Sequence, residues 1–153
     1  MEEKKLLECL KTLDSFCMQN RIDYVLTGTA ALYLLGIPYK PDDIDIKVFS
    51  LTDQQRNKIE ELQKLAGFKT DDYGSCHTTC YSFSMLGHIK VNVLYSVEPD
   101  LNNPIQIRLD SRDSKSPIIS VQPVFDLIKA KMRLKRDKDR VFMLELINKL
   151  TSL

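Results

Sequence analysis

The chain of 153 residues is 43% hydrophobic and 28% charged, proportions that are typical of one soluble globular domain. Its net charge of +1 gives no argument from bulk charge for binding nucleic acid. No apolar run reaches the length of a transmembrane helix, and the opening residues, MEEKKLLECLK, are amphipathic and charged, unlike a signal peptide. We therefore expect a cytoplasmic protein without a membrane partner.

The first half of the sequence predicts alternating helices and strands. Leu6, Leu10 and Leu13 recur at helical spacing and indicate a first helix. Thr52 is the expected N-cap of a later helix, with Gln55 in the capping-box region. The predicted elements are helix 2–20, strand 22–26, helix 29–35, a strand that contains Asp43 and Asp45, and a helix that ends near Ala66.

The second half reads as strands followed by two helices. A gap of three residues between two strand-like segments, 79–85 and 89–95, predicts a hairpin. The remaining predicted elements are strands 68–73, 105–109 and 117–121, then helices 122–136 and 139–150. The first of these helices has Phe125 and Met132 on one apolar side and Leu127 on the other, so we expect both sides to be packed.

This order of elements predicts the fold class. It indicates one α+β domain over residues 1–153, a mixed β-sheet with helices mainly on one face and a C-terminal pair of helices.

Cysteines give a weaker signal. Cys76, His77 and Cys80 lie close together, but a structural zinc site needs four ligands and only His88 lies nearby as a fourth. Reduced, structural thiols are the preferred interpretation of all four cysteines, and the role of this cluster stays open.

Two aspartates form the most informative pattern. In a strand, successive side chains point to opposite faces, so Asp43 and Asp45 share one face with Lys47, and Ile44 and Ile46 share the other. Neighbouring carboxylates repel each other unless a positive group lies between them, and Mg²⁺ is the usual partner of such a pair. The alternative is an edge strand whose carboxylates are merely solvated.

Gly28 adds a second feature in front of this strand. It follows a short apolar strand and opens a predicted helix, whose first N–H groups are free to bind a phosphate. Glycine allows a phosphate to approach the backbone closely, and the Thr29 hydroxyl can cap the helix or donate to a phosphate oxygen.

The sequence resembles the nucleotidyltransferase superfamily related to DNA polymerase β in two segments, Leu26-Thr27-Gly28-Thr29 and Asp43-Ile44-Asp45. Thr29 departs from the family pattern, which more often has Ser or Gly there. The resemblance implies a nucleotidyltransferase-like fold that binds a nucleoside triphosphate with Mg²⁺ or Mn²⁺. It further implies that Gly28 and Thr29 hold the phosphates, that Asp43 and Asp45 hold the metal, and that a nucleoside monophosphate passes to a hydroxyl.

The same resemblance exposes a missing group. Active members carry a third Asp or Glu on a later strand, and the matching position here is Asn92. An amide offers a carbonyl oxygen to a metal, but it has no negative charge and takes up no proton. Either the strand is aligned wrongly, or Glu98 or Asp100 enters the site from the following loop, or catalysis is impaired.

The basic segment near the C-terminus resembles that of abortive-infection and lincosamide-type nucleotidyltransferases, in which a lysine of the penultimate helix reaches the nucleotide. Lys131 is the preferred candidate for that lysine and Lys129 the second. The alternative is a solvated helix face. RNA binding is less favoured, because the segment lacks interleaved aromatic residues.

Two functions follow from the sequence. The leading hypothesis is a nucleotidyltransferase that acts on a small-molecule or protein acceptor. The alternative is a catalytically degenerate module that binds a nucleotide or a protein partner, in an antitoxin-like role. Asn92 is the residue that separates the two.

Overall fold

The computed structural model describes residues 2–66, 70–73, 78–87, 89–96, 103–134 and 136–152. Its helices are α1 (Glu3–Gln19), α2 (Gly28–Leu34), α3 (Asp53–Ala66), α4 (Val124–Leu134) and α5 (Asp137–Thr151). Its strands are β1 (Tyr24–Thr27), β2 (Asp43–Val48), β3 (Thr70–Tyr73), β4 (Thr78–Met85), β5 (Ile89–Ser96), β6 (Ile105–Arg108) and β7 (Ile118–Val121). These bounds lie close to the predicted ones.

The strands of the described part form one seven-stranded mixed sheet in the order β3-β4-β5-β2-β1-β7-β6. β2 lies at its centre, antiparallel to β1 and parallel to β5. β4 and β5 form the predicted hairpin, with Met85 opposite Ile89. The chain therefore brings the end of β1, the start of β2 and the middle of β5 to one region of the sheet.

One face of the sheet forms the core. Ile44, Ile46 and Val48 are at most 1% exposed, and they alternate with half-buried polar residues on the other face of β2. All five helices contribute to the same core, which confirms the α+β class. Helix residues in this core include Leu6, Leu10 and Leu13 of α1, Ala31 of α2, Ile59 of α3, Leu127 of α4 and Leu146 of α5.

Local hydrogen bonds explain why two helices begin where they do. The capping box predicted for α3 is present, because the Thr52 N–H donates to Gln55 Oε1 (2.8 Å) and the Gln55 N–H donates to Thr52 Oγ1 (3.2 Å). α5 begins at Asp137, two residues earlier than predicted. There the Arg136 N–H and guanidinium both donate to Asp139 Oδ2, at 3.1 and 2.8 Å.

The prediction that α4 is packed on both sides is wrong at Phe125 and Met132, although Ile128 of the same side is partly buried against the core. Leu127 is buried, but Phe125 and Met132 are 65% and 62% exposed. Periodicity reveals that a helix has an apolar side, and it does not reveal whether a partner covers that side. α4 also starts later than predicted, because the Gln122 N–H donates to Leu26 O at 2.9 Å and so belongs to the sheet.

Among the described residues, no helix combines the length and the apolar character that a membrane span requires.

Candidate functional site

The aspartates of β2 lie on the face of the sheet that is turned away from the core. Asp43 and Asp45 are both half-buried. Asp45 is in register with Asn92 of β5 on one side and with Thr27 of β1 on the other. Asn92 therefore stands directly beside the second aspartate, on the face where the sequence analysis expected it.

The Asn92 side chain connects the two carboxylates. Its Nδ2 atom donates to Asp45 Oδ1 at 2.8 Å and to Asp43 Oδ2 at 3.3 Å. Two carboxylate oxygens that reach one nitrogen converge on a single point in space. Hydrogen bonds from an amide reduce the repulsion between the two charges, as a cation at that point also would.

Ser82 of β4 holds the other end of this amide. Its hydroxyl donates to Asn92 Oδ1 at 2.7 Å, and Ser82 is directly opposite Asn92 in the β4–β5 pair. The Ser82 Oγ atom also lies 3.6 Å from the sulfur of the buried Cys80. The site therefore contains a polar row that runs across three strands, from Ser82 through Asn92 to Asp45.

Gly28 closes the site from the side of β1. It has a φ of +69°, and a Cβ atom built on it would lie 2.5 Å from Asp45 Oδ2. Only glycine allows the first turn of α2 to approach the carboxylate so closely. Thr29 follows in the same turn and is half-buried. α2 is seven residues long, so the phosphate contribution would come from its first N–H groups rather than from a long helix dipole.

Thr27 fixes the turn that leads into Gly28. Its hydroxyl donates to Gln122 Oε1 at 2.5 Å rather than capping α2, and both residues are buried. This hydrogen bond connects the end of β1 to the residue that follows β7. It therefore helps to fix the backbone that brings Gly28 close to Asp45.

Two lysines share the face of the aspartates. Lys90 is exposed and in register with Asp43, and Lys47 follows Asp45 by two residues on β2. Within the described residues, no cluster of three or more His, Cys, Asp and Glu side chains has the arrangement of a metal site. Among the described residues, a cation here would rest on the two aspartates and on neutral oxygens.

The structure places the other predicted residues as follows. Lys129 is exposed, and its Nζ lies 4.7 Å from the centre of the Phe125 ring. Within the described part of the chain, Lys129 makes no ion pair with Asp43 or Asp45. Five other predicted residues lie outside what the structure describes: the side chain of Lys131, and all of Glu98, Asp100, Cys76 and His77. The predictions about them stay predictions.

The sequence assigned no individual role to Ser82, Thr27 or Gln122. A signal for Ser82 did exist, because the short turn of the predicted hairpin sets the register that brings Ser82 opposite Asn92. Thr27 and Gln122 are 95 residues apart in the sequence, and only the parallel pairing of β1 with β7 brings them together.

Solved structures share this arrangement of helices and strands. A protein from Thermotoga maritima, named as a candidate nucleotidyltransferase, has a TM-score of 0.64 at 17% identity, over 97% of this chain and 96% of that chain. An antigenic nucleotidyltransferase-like protein from Paracoccidioides brasiliensis has a TM-score of 0.53 at 14% identity, over 97% of this chain and 76% of that chain. No family model matches the sequence, and no curated protein matches it either.

At these identities the likeness establishes the fold alone. The chain has a nucleotidyltransferase-like α+β fold, in agreement with what the sequence resemblance implied.

Proposed function

We propose that this protein binds a nucleoside triphosphate together with Mg²⁺ or Mn²⁺ and transfers a nucleoside monophosphate to a hydroxyl group of a small-molecule or protein acceptor. The observation that carries the proposal is the convergence of Asp43 Oδ2 and Asp45 Oδ1 on one atom, Asn92 Nδ2. Two carboxylates aimed at one point, beside the glycine at which α2 begins, match the chemistry of a nucleotide-bound divalent cation.

The residues present fit such a cation. Mg²⁺ prefers oxygen ligands and usually keeps several waters, so one or two carboxylates plus phosphate oxygens suffice to hold it. Asp43 and Asp45 supply the carboxylates. Gly28 allows the first turn of α2 to lie directly beside Asp45, where a Cβ atom would clash with the carboxylate. When bound, the ion supplies positive charge that stabilises the charge on the transferred phosphoryl group.

Transfer itself forms a bond from the acceptor oxygen to the α-phosphorus and breaks the bond to pyrophosphate. The acceptor hydroxyl loses a proton, and Asn92 does not accept it, because an amide is not a base at neutral pH. Within the described residues near Asn92, only Asp43 and Asp45 are carboxylates able to take the proton.

Thr29 and the first N–H groups of α2 would donate to the phosphates, and Lys131 or Lys129 would face the nucleotide.

The second candidate function is a catalytically degenerate module that binds a nucleotide or a protein partner. The observation in its favour is the same amide, because Asn92 compensates both carboxylates without any cation. Such a protein would show no nucleotidyl transfer, even where it binds a triphosphate together with Mg²⁺. Nucleic acid is a less favoured partner for either function, since the net charge is only +1.

Calorimetry with each of the four nucleoside triphosphates, in Mg²⁺ and in EDTA, tests the proposal. We expect saturable binding of at least one triphosphate that depends on Mg²⁺. Asp45→Asn should abolish the dependence on Mg²⁺, whereas Asp42→Asn should leave it intact, because Asp42 is exposed and lies one residue before β2. Equal binding in EDTA, or an equal loss in both variants, would contradict the assignment.

Transfer needs a second experiment, because binding alone fits either function. The triphosphate that binds is labelled at the α-phosphate and incubated with the protein, Mg²⁺ and a cell extract. A labelled acceptor that appears with the parent protein and not with Asp45→Asn supports the enzyme. Metal-dependent binding without any labelled acceptor supports the degenerate module.

A further inference from the structure

The orientation of the Asn92 amide follows from the chemistry of its partners. Carboxylates such as Asp43 and Asp45 only accept hydrogen bonds, so the NH₂ end of the amide must face them. The carbonyl end then faces Ser82, whose hydroxyl donates to it. Because both carboxylates require the NH₂ end and Ser82 can donate to the carbonyl end, one orientation of the amide is favoured in the metal-free protein.

A divalent cation between the aspartates reverses this preference. It repels the NH₂ group and attracts the carbonyl oxygen, which is a ligand that such ions accept. If the amide turns over, its NH₂ group faces Ser82 instead. A hydroxyl both donates and accepts, so Ser82 satisfies the turned amide as well as the original one.

We propose that Ser82 and Asn92 form a turnable amide that adapts the aspartate pair to the absence or presence of a divalent cation. Without the cation, Asn92 Nδ2 bridges the carboxylates. With the cation, Asn92 Oδ1 faces the ion and Nδ2 donates to Ser82 Oγ. Ser82 is the positioning residue of this device, and the inference rests on the proposed function because it assumes that a cation binds Asp43 and Asp45.

Cys80 completes the device. In the turned state the Ser82 hydroxyl proton needs a new acceptor, and the Cys80 sulfur lies 3.6 Å from Ser82 Oγ. A thiol is a weak donor and its sulfur a weak acceptor, so Cys80 can donate to Ser82 in the first state and accept from it in the second. Ser82 is 6% exposed and Cys80 2% exposed, so water has little access to either group.

Nuclear magnetic resonance of the side-chain amides reports the turn directly. The protein is labelled with ¹⁵N in its asparagine side chains and ¹³C in its aspartate carboxyl groups, and Mg²⁺ alone is added. Asn92→Asp identifies the Asn92 signal by its disappearance. We expect the Asn92 NH₂ signals and the Asp43 and Asp45 carboxyl signals to move together, with one saturation curve.

The titration separates failure of this inference from failure of the proposed function. Carboxyl signals that move while the Asn92 amide stays unchanged overturn the turnable amide and leave cation binding intact. If the carboxyl signals respond to Mg²⁺ only in Asn92→Asp, the amide does not turn and the inference is again overturned. If they respond in neither protein, the aspartates bind no free Mg²⁺ and the inference is overturned, whereas the proposed function is decided separately by the calorimetry with a triphosphate and Mg²⁺.

Variants of Ser82 test its role as the positioning residue. In the metal-free protein, Ser82→Ala removes the donor to Asn92 Oδ1, so the Asn92 NH₂ protons should exchange with water about tenfold faster. Ser82→Thr keeps the hydroxyl and should restore slow exchange. Ser84→Ala is the matched control, because Ser84 lies two residues along the same strand and pairs with Lys90.

The role of Ser82 is overturned if the Asn92 NH₂ protons of Ser82→Ala exchange at the parent rate. It is also overturned if Ser84→Ala accelerates their exchange by the same factor. The titration of the parent protein and of Ser82→Thr still tests the turn if Ser82→Ala does not fold.

Discussion

Gly28 lies so close to Asp45 that a methyl group on the glycine would come within 2.5 Å of Asp45 Oδ2. Ordinary Cβ atoms do not approach another atom this closely. The first turn of α2 and the carboxylate of β2 therefore depend on each other, and the distance links the two sequence features, the glycine before a helix and the Asp-x-Asp strand, into one site.

Gly28→Ala should destabilise the protein more than alanine at other glycines with the same backbone conformation. A φ of +69° costs an alanine about 1–2 kcal/mol, and the clash with Asp45 should add about 1–3 kcal/mol. Urea unfolding measures both terms together. The same experiment should show loss of metal-dependent triphosphate binding, since relief of the clash moves the Asp45 carboxylate.

Gly36→Ala and Gly87→Ala are the matched controls. Both glycines have positive φ, +87° and +85°, and among the described residues no atom lies within 4 Å of a Cβ placed there. These variants therefore carry the backbone cost without the clash. If Gly28→Ala is no less stable than the controls, the close approach to Asp45 has no energetic consequence.

Thr27→Val should cost about 1–3 kcal/mol of stability, because it removes the donor to the buried Gln122 Oε1 and leaves that oxygen without this partner. The size of the side chain changes little, so the loss reports the hydrogen bond. Thr27→Ser keeps the hydroxyl and should lose less than half as much, by urea unfolding. Equal losses in the two variants would assign the effect to packing of the methyl group instead.

Stability should fall as the pH rises above 9. Burial, and then the charge of Asp14, raises the pKa of the Cys17 thiol from 9.0 to about 12, and burial raises the pKa of Cys9 to about 11. A raised pKa means that the folded state holds its proton more tightly than the unfolded state. The stabilising contribution is therefore complete below pH 9 and is lost as the pH rises from 9 towards the folded-state pKa.

Each such thiol lowers the free energy of unfolding by up to about 1.4 kcal/mol per pH unit in this range. Tyr24 adds to the slope at higher pH, because burial and its hydrogen bond to Asp14 raise its pKa also. Urea unfolding between pH 8 and 10.5 measures the slope, and Cys17→Ala should reduce it. A slope that is unchanged in Cys17→Ala would show that this thiol does not titrate differently in the two states.

Strand alternation predicted part of the candidate site from the sequence. Asp43 and Asp45 lie on one face because successive strand residues point to opposite faces, and this rule needs no knowledge of the fold. Asn92 lies on another strand, so its position was inferred from the family resemblance, and the pairing of β2 with β5 places it beside Asp45. Ser82 required the exact register of a hairpin. Gln122 required the order of strands in the sheet, which no local pattern contains.

The error at Phe125 and Met132 has a related cause. Helical periodicity placed these residues on an apolar side of α4, but burial depends on what another part of the chain supplies. Leu127 was predicted correctly, since it lies in the buried core. The sequence therefore predicts which side chains share a face more reliably than it predicts what covers that face.

Asn92→Asp should lower stability in EDTA and increase the response to metal. The substitution removes the Nδ2 donor that reaches Asp45 at 2.8 Å and Asp43 at 3.3 Å, and it brings a third negative charge to the same point. Loss of hydrogen bonds to charged groups should cost about 2–4 kcal/mol in the metal-free protein. Added Mg²⁺ or Mn²⁺ should recover that loss, because the new carboxylate is a further charged ligand.

Ser84→Asp is the control for charge, since it adds one carboxylate to the same sheet face, in register with Lys90 rather than with the aspartates. Thermal melts of the parent and both variants across a Mg²⁺ titration make the comparison. Only Asn92→Asp should have a lower melting midpoint in EDTA and a larger gain with metal.

Asn92→Asp should also raise any nucleotidyl transfer that the parent shows, because a carboxylate able to accept the proton then stands at the third position. A metal response equal to that of the parent would mean that Asn92 is not at the cation site, and the structural case for Asp43 and Asp45 as metal ligands would lose its support.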